Sequence, residues 1–151
     1  MNIGAKVDTP ENLWNLPSRL VGQVSIHAHR LVVEALGAID AKRYHYSVLS
    51  ALRQFGLLSQ ADLGRYSGID RSDIVECMIE LETRRFVART PDTADRRRNV
   101  VSITTAGTWH LQQMDAIVAR VQDELLAPLS EAERRQLVDS LQRILEHQSM
   151  R

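Results

Sequence analysis

The chain has 151 residues, 44% of them apolar, which is enough for one compact folding unit with its own core. Nineteen basic and nineteen acidic side chains cancel, so no global field draws the protein to a polyanion, and any affinity for one must come from a local arrangement. One cysteine, Cys77, excludes an internal disulfide framework and the usual cysteine-rich zinc site, and no apolar run approaches the ~20 residues of a membrane span.

The opening residues MNIGAKVDTPENLW lack a basic region followed by an apolar one, so the expected location is the cytoplasm. Residues 1–10 contain Gly4 and Pro10 but no periodic apolar set and read as a loose arm, with Thr9-Pro10-Glu11 able to cap a short helical turn. From Pro17, the apolar residues Leu20, Val24, Ala28, Leu31 and Ala35 recur at steps of three or four. They predict one long amphipathic helix ending near Ile39 to Lys42. A second helix carries Tyr46, Leu49, Leu52 and Phe55 on one face and stops at Gly56. A third is short: Ser59 caps it, Asp62 stands three residues on, and Gly68 ends it.

The next helix has Asp70 or Ser72 as its cap and Ile74, Cys77, Met78 and Leu81 on one face. A short helix, a tight glycine turn and a longer helix make a helix-turn-helix. The β-branched stretches FVART and NVVSIT then predict a hairpin whose eight-residue loop is PDTADRRR. Gly107, Leu111, Met114, Val118, Val121 and Leu125 follow as a heptad seam along one long helix ended by Pro128. Ser130 and Glu133 form a capping box for the last helix, whose stripe is Leu137, Val138, Leu141, Ile144 and Leu145. The fold class is mainly α with a small β-hairpin. It is a single domain over 1–151, with a winged helix-turn-helix lobe at 43–104 and long helical regions at 10–42 and 105–148.

That order suits a two-groove reader of duplex DNA. A helix about 10 to 12 Å across fits the ~12 Å major groove, and a narrow loop bearing guanidinium groups fits the ~6 Å minor groove. Arg96, Arg97 and Arg98 repel one another in isolation but are favourable where phosphate potential is focused. Asp95 lies two residues from Arg97 in an extended segment, on the same side, where it can hold that arginine.

These stretches, from HYSVLSALRQFG through LSQADLGRYSGIDRSDIVECMIELETRRFVART to DTADRRRNVVSITTAG, resemble the MarR family of bacterial winged-helix transcription regulators. The most specific element is Asp95-Arg96-Arg97 with Thr104 seven residues after Arg97 and Leu81-Glu82 upstream. The resemblance implies a homodimer with helices from both chain ends interlocked, each subunit presenting a recognition helix and a wing. By the same resemblance Arg97 is the minor-groove arginine, Asp95 orients it, and Arg96 and Arg98 meet or steer toward phosphates. Ser59 and Gln60 match positions that touch the DNA backbone, as helix N-termini favour. Arg71, Ser72, Asp73, Val75 and Glu76 occupy the opening turns of the recognition helix, where Arg71 suits guanine and Val75 a thymine methyl.

Asp73 and Glu76 make this helix unusually acidic: Asp73 either accepts from cytosine N4 or serves the helix dipole, and Glu76 and Glu80 balance Arg84 and Arg85 one turn away. Trp14, Arg19, Tyr44 and Tyr46 are candidates for lining a pocket for a small aromatic or phenolic effector, with a hydrophobic staple as the plainer role of Trp14. Cys77 on the apolar face reads as a core thiol, and His27, His29, His45, His110 and His147 are too scattered to chelate a metal; no metal or other cofactor is expected. Without a phosphate-cradling glycine loop, an H-E-x-x-H or an assembled nucleophile, an enzyme is not expected. The sequence therefore predicts a ligand-responsive repressor that binds a pseudopalindromic operator in double-stranded DNA as a homodimer. The alternative is a winged-helix protein-interaction module on a helical oligomerisation scaffold.

Overall fold

The structure, a computed structural model, describes residues 6–151. The loose arm expected over 1–10 lies outside the described residues for 1–5. Beyond them the arm is ordered into turns: Lys6–Asp8 form a 3-10 turn, and α1 (Glu11–Trp14) is a single turn whose Leu13 and Trp14 N–H groups donate to the Pro10 carbonyl.

The long helix α2 (Pro17–Gly37) begins at its proline as expected but ends before Ile39. Asp40 takes a left-handed φ of 57°, and the Ala41 N–H returns to the Leu36 carbonyl, so the chain turns back within four residues of the helix end at Gly37. α3 (Arg43–Phe55) buries Val48, Leu49, Ala51 and Leu52 and stops at Gly56, φ 78°. Phe55, expected on the buried face, is instead half exposed, because it stacks on Tyr66 at 4.4 Å between ring centres rather than entering the core.

α4 (Gln60–Ser67) is capped by the Ser59 hydroxyl, which accepts from the Asp62 N–H, and ends at left-handed Gly68. α5 (Arg71–Thr83) follows; Asp70 holds the cap position without a side-chain bond, and Ile74, Cys77, Met78 and Leu81 are buried as their spacing requires. The strands β1 (Val87–Pro91) and β2 (Asn99–Ile103) pair antiparallel from Val87 opposite Ile103 to Pro91 opposite Asn99. Pro91 therefore belongs to the ladder, and the loop is 92–98, one residue shorter than the sequence suggests. A short bridge from Leu58 to Val101 pins the hairpin to the segment between α3 and α4.

α6 (Thr105–Leu125) is capped by Thr104, whose hydroxyl accepts from the Gly107 N–H. It buries Leu111, Met114 and Val121 along its expected seam and adds Ile117 and His110. Ser130 and Glu133 close the capping box of α7 (Glu131–Ser149) from both sides, at 3.2 and 2.9 Å. One apolar cluster, running from Leu36 and Val48 through Met78 and Val101 to Met114, joins the helix-turn-helix to the inner face of α6. α7 contributes no buried residue to it.

Candidate nucleic-acid interface

The wing is a self-capped loop. The Asp92 N–H donates to the Arg98 carbonyl at 2.8 Å and the Arg98 N–H to the Asp95 carbonyl at 3.0 Å, closing the turn. Each aspartate also accepts a backbone N–H two residues on, Asp92 from Ala94 at 3.0 Å and Asp95 from Arg97 at 3.1 Å. The same carboxylates lie near guanidinium groups, Arg97 with Asp95 at 3.7 Å and Arg98 with Asp92 at 3.9 Å. These contacts are long and wet, worth at most ~1 kcal/mol each. Asp95 thus shapes the backbone beneath Arg97 more than it neutralises the side chain, which is 95% exposed. Arg96 has no carboxylate partner among the described residues.

The two helices of the helix-turn-helix enclose a cleft of about 820 Å³, bordered by Gln60, Ala61 and Arg65 from α4 and by Asp70, Arg71 and Val75 at the start of α5. Arg71, Ser72 and Val75 are exposed. Arg65 was not among the expected contacts. It sits on the same face as Ala61, four residues earlier, a spacing that places it beside the cleft, and it pairs with Asp62 at 2.9 Å. Ser59 spends an acceptor site of its hydroxyl on the helix cap, while Gln60 accepts a bond from Arg89.

Asp73 and Glu76 do not share that cleft. They border a separate cavity of about 170 Å³ with Lys42, Tyr44, His45, Cys77 and Glu80, on the flank of α5 turned toward the start of α3. Asp73 is only half exposed there. The acidic flank and the Arg71–Val75 flank are therefore different sides of one helix. Glu80 is not balanced by Arg84: it accepts from Lys42 at 2.6 Å and from His45 Nε2 at 2.7 Å. Arg84 donates to the Asp40 carbonyl and lies 4.8 Å over the Phe86 ring. Lys42 holds the Glu80 carboxyl below the usual carboxylate range.

His45 is buried, accepting the Lys42 N–H on Nδ1 at 3.3 Å and facing Glu80 with Nε2, which makes it a neutral imidazole protonated at Nε2. Burial depresses its pKa from 6.5 despite the Glu80 bond, and burial does the same for His110, stacked on Phe86 at 4.2 Å. With both folded-state values below the unfolded one, the unfolded chain takes up protons first as pH falls. The stability these groups contribute is whole above pH 6.5 and is lost through the window below it. The urea midpoint is expected to drop between about pH 7.5 and about pH 5.5, read by far-UV circular dichroism. A midpoint that is flat or rises across that interval contradicts the assignment.

Cys77 is buried, and burial pushes its thiol up to about 12, so it is an inert core residue. Among the described residues no group of His, Cys, Asp and Glu is placed to hold a metal ion. Of the expected effector residues, Tyr44 borders the cavity just described and another of about 370 Å³ with His29, Val33 and Lys42. Tyr46 is committed elsewhere. Its hydroxyl donates to Asp115 at 2.8 Å, and Arg53 completes this bridge from α3 to α6. Trp14 and Arg19 lie outside both cavities, and Arg19 carries a buried guanidinium nitrogen without a partner among the described residues.

A helix-turn-helix, a wing tipped with three arginines, and long helices from both chain ends define a winged helix-turn-helix protein. Residues 40–98 match the sequence model described as MarR family. The chain is 32% identical over 104 residues to a putative transcriptional regulatory protein for the hcr operon of Thauera aromatica, covering 69% of this chain and 63% of that one. It is 28% identical over 101 residues to the HTH-type transcriptional repressor NicR of Pseudomonas putida, covering 67% and 64%. The match therefore spans just under two thirds of these relatives' lengths. Among solved structures, the PcaV transcriptional regulator of Streptomyces coelicolor, in complex with its natural ligand, superposes with a TM-score of 0.77. It is 25% identical, over 91% of this chain and 97% of that one. Over residues 40–98, the helix-turn-helix and its wing, the chain is thus similar to the MarR family.

Proposed function

We propose that this protein is a sequence-specific DNA-binding transcriptional regulator, a ligand-responsive repressor that acts in the cytoplasm as a homodimer on a pseudopalindromic operator. The single observation that carries the reading is the pairing of an exposed α5 flank, Arg71, Ser72 and Val75, with a self-capped wing loop that holds Arg96 to Arg98 in solvent on the same lobe. The helix suits a major groove and the wing the adjacent minor groove, with Ser59 and Gln60 at the phosphates. Two such lobes, held by the helical regions 10–42 and 105–148, would meet half-sites one turn apart, roughly 34 to 36 Å.

The names of the relatives, a regulator and a repressor, support that role, and the ligand-bound PcaV structure supports a small-molecule input. The effector we assign is a small aromatic or phenolic compound. Tyr44 offers a ring at the junction of α2, α3 and α5, where it borders two cavities, one of about 370 Å³ and one of about 170 Å³. The reading assigns Asp73 and Glu76 to the flank beside Lys42 and gives no enzymatic step to any residue.

Selection of bound sequences from a pool of random duplexes tests it. A palindromic consensus is expected, with affinity falling steeply as salt rises. Arg97→Ala should weaken binding by at least ~1 kcal/mol per wing and soften the sequence preference at the flanks. Sequence-indifferent binding, micromolar or weaker even at low salt, refutes the proposal.

A further inference from the structure

Arg89 sits on β1, between the buried base of the hairpin and its arginine tip, and its guanidinium joins three elements. Nε donates to Glu82 of α5 at 2.5 Å, and Nη2 donates to the side-chain oxygen of Gln60, the first residue of α4. We infer that Arg89 is a positioning residue that locks the wing to both helices of the helix-turn-helix and so sets the angle at which the wing meets a minor groove. The inference rests on the DNA-binding reading above.

The hairpin needs such a lock. Its base is fixed by Val87 and Val101 in the core and by the Leu58 bridge to Val101. Beyond the Arg89–Val101 pair, the ladder continues through Thr90–Val100 and Pro91–Asn99, where Thr90, Pro91 and Asn99 are exposed. On the α4 side an open gap of about 250 Å³, bordered by Ser59, Asp62, Thr90, Asp92 and Arg98, separates the wing from the helix. Apolar packing therefore does not fix the angle there. At ~3.3 Å per residue the tip lies roughly 15 Å or more from Arg89, so a swing of about 10° displaces it by about 3 Å, half the ~6 Å width of a minor groove.

Charge accounting separates this role from a phosphate contact. Glu82 neutralises Arg89, so the pair presents little net charge to a duplex. The two guanidinium nitrogens can only donate, which turns the Gln60 oxygen inward and leaves its NH2 as the outward donor. One ion pair at this exposure adds little to the stability of the fold. Its effect belongs to binding geometry.

The test uses full-length protein with Glu82→Gln and Arg89→Gln, a duplex that the wild type selects from a random pool, and a salt titration of fluorescence anisotropy. Glu82→Gln removes a negative charge, which by simple electrostatics would tighten binding; the lock predicts at least fivefold weaker binding. Arg89→Gln is expected to lose as much while keeping the wild-type slope of log affinity against log salt. Hydroxyl-radical protection should fade at the flanking minor grooves and persist at the centre. Equal or tighter binding by Glu82→Gln overturns the inference, as does a slope reduced by about one in Arg89→Gln, the mark of a lost phosphate contact. If Arg89→Gln fails to fold, Glu82→Gln alone decides. A wild type that selects no sequence refutes the DNA-binding reading itself, and the lock with it; selection by the wild type with contrary variants refutes only the lock.

Discussion

Alanine at position 107 is expected to destabilise the fold by on the order of 3 kcal/mol or more, although it sits in the first turn of a helix, where alanine normally helps. A Cβ there would stand 2.0 Å from the Phe86 carbonyl oxygen, 2.9 Å from its carbon and 3.0 Å from Ile103 Cγ1. Backbone atoms cannot rotate out of the way as a flexible side chain does. Either α6 or the Phe86 peptide must shift, and both are held: the Phe86 carbonyl accepts the Thr104 N–H at 3.1 Å, and the Thr104 hydroxyl donates to the Arg85 carbonyl at 2.7 Å while capping Gly107. Overpacking costs about 1 to 3 kcal/mol, and loss of the cap and of a backbone bond adds about 1 kcal/mol each, against about 1 kcal/mol gained in helix propensity. Urea denaturation of Gly107→Ala measures the balance, with Ala106→Gly, at an exposed neighbouring position, as the propensity control. Stability equal to or above wild type for Gly107→Ala would show that the close approach is not tight.

Gly107 also marks the limit of what the sequence discloses. Its spacing to Leu111 fits a heptad seam, yet its role is to let the turn after α5 pass close by, a contact between residues more than twenty apart. What depended on neighbours in sequence was legible: the Ser59 cap, the left-handed Gly56 and Gly68, the Ser130–Glu133 box and the buried set of α5 all follow from helical period and cap chemistry. What depended on distant partners was not. Glu80 is one turn from Arg84, but Lys42 and His45 are brought closer by the return of the chain after Asp40. Arg85 takes a left-handed φ of 60° that no glycine signals. Tyr46 looked free for a ligand until α6 brought Asp115 beneath its hydroxyl. In the candidate interface, the exposed tip and helix start were legible from charge and turn residues. The division of α5 into an arginine–valine flank and an acidic flank required the position of α3.

Glutamate at Leu141 and Leu145 together is expected to convert the protein from dimer to monomer and to loosen α7. The helix has 19 residues and buries none of them, while Val138, Leu141, Ile144 and Leu145 are 39% to 66% exposed along one side. An isolated helix of this length is marginal in water, and its tie to the rest of the chain includes the polar Arg134–Asp123 contact at 2.9 Å. The apolar side therefore needs a cover. α2 adds exposed apolar residues, with Val21 and Val24 three apart on one side of the helix that precedes the helix-turn-helix. A second copy supplies both surfaces at once, because in a two-fold dimer every contact occurs twice. Full burial of a leucine is worth about 1.5 to 3 kcal/mol, so two leucines in each of two subunits contribute several kcal/mol, and four buried carboxylates would oppose assembly further. Light scattering at micromolar concentration should give twice the chain mass for the wild type and the chain mass for the double variant. Binding of the variant to a selected palindromic duplex should fall by more than tenfold, since the second lobe no longer arrives with the first. A wild type that runs as a monomer, or a double variant that stays dimeric, would remove these faces from the interface and leave α7 to be covered by something other than a second copy.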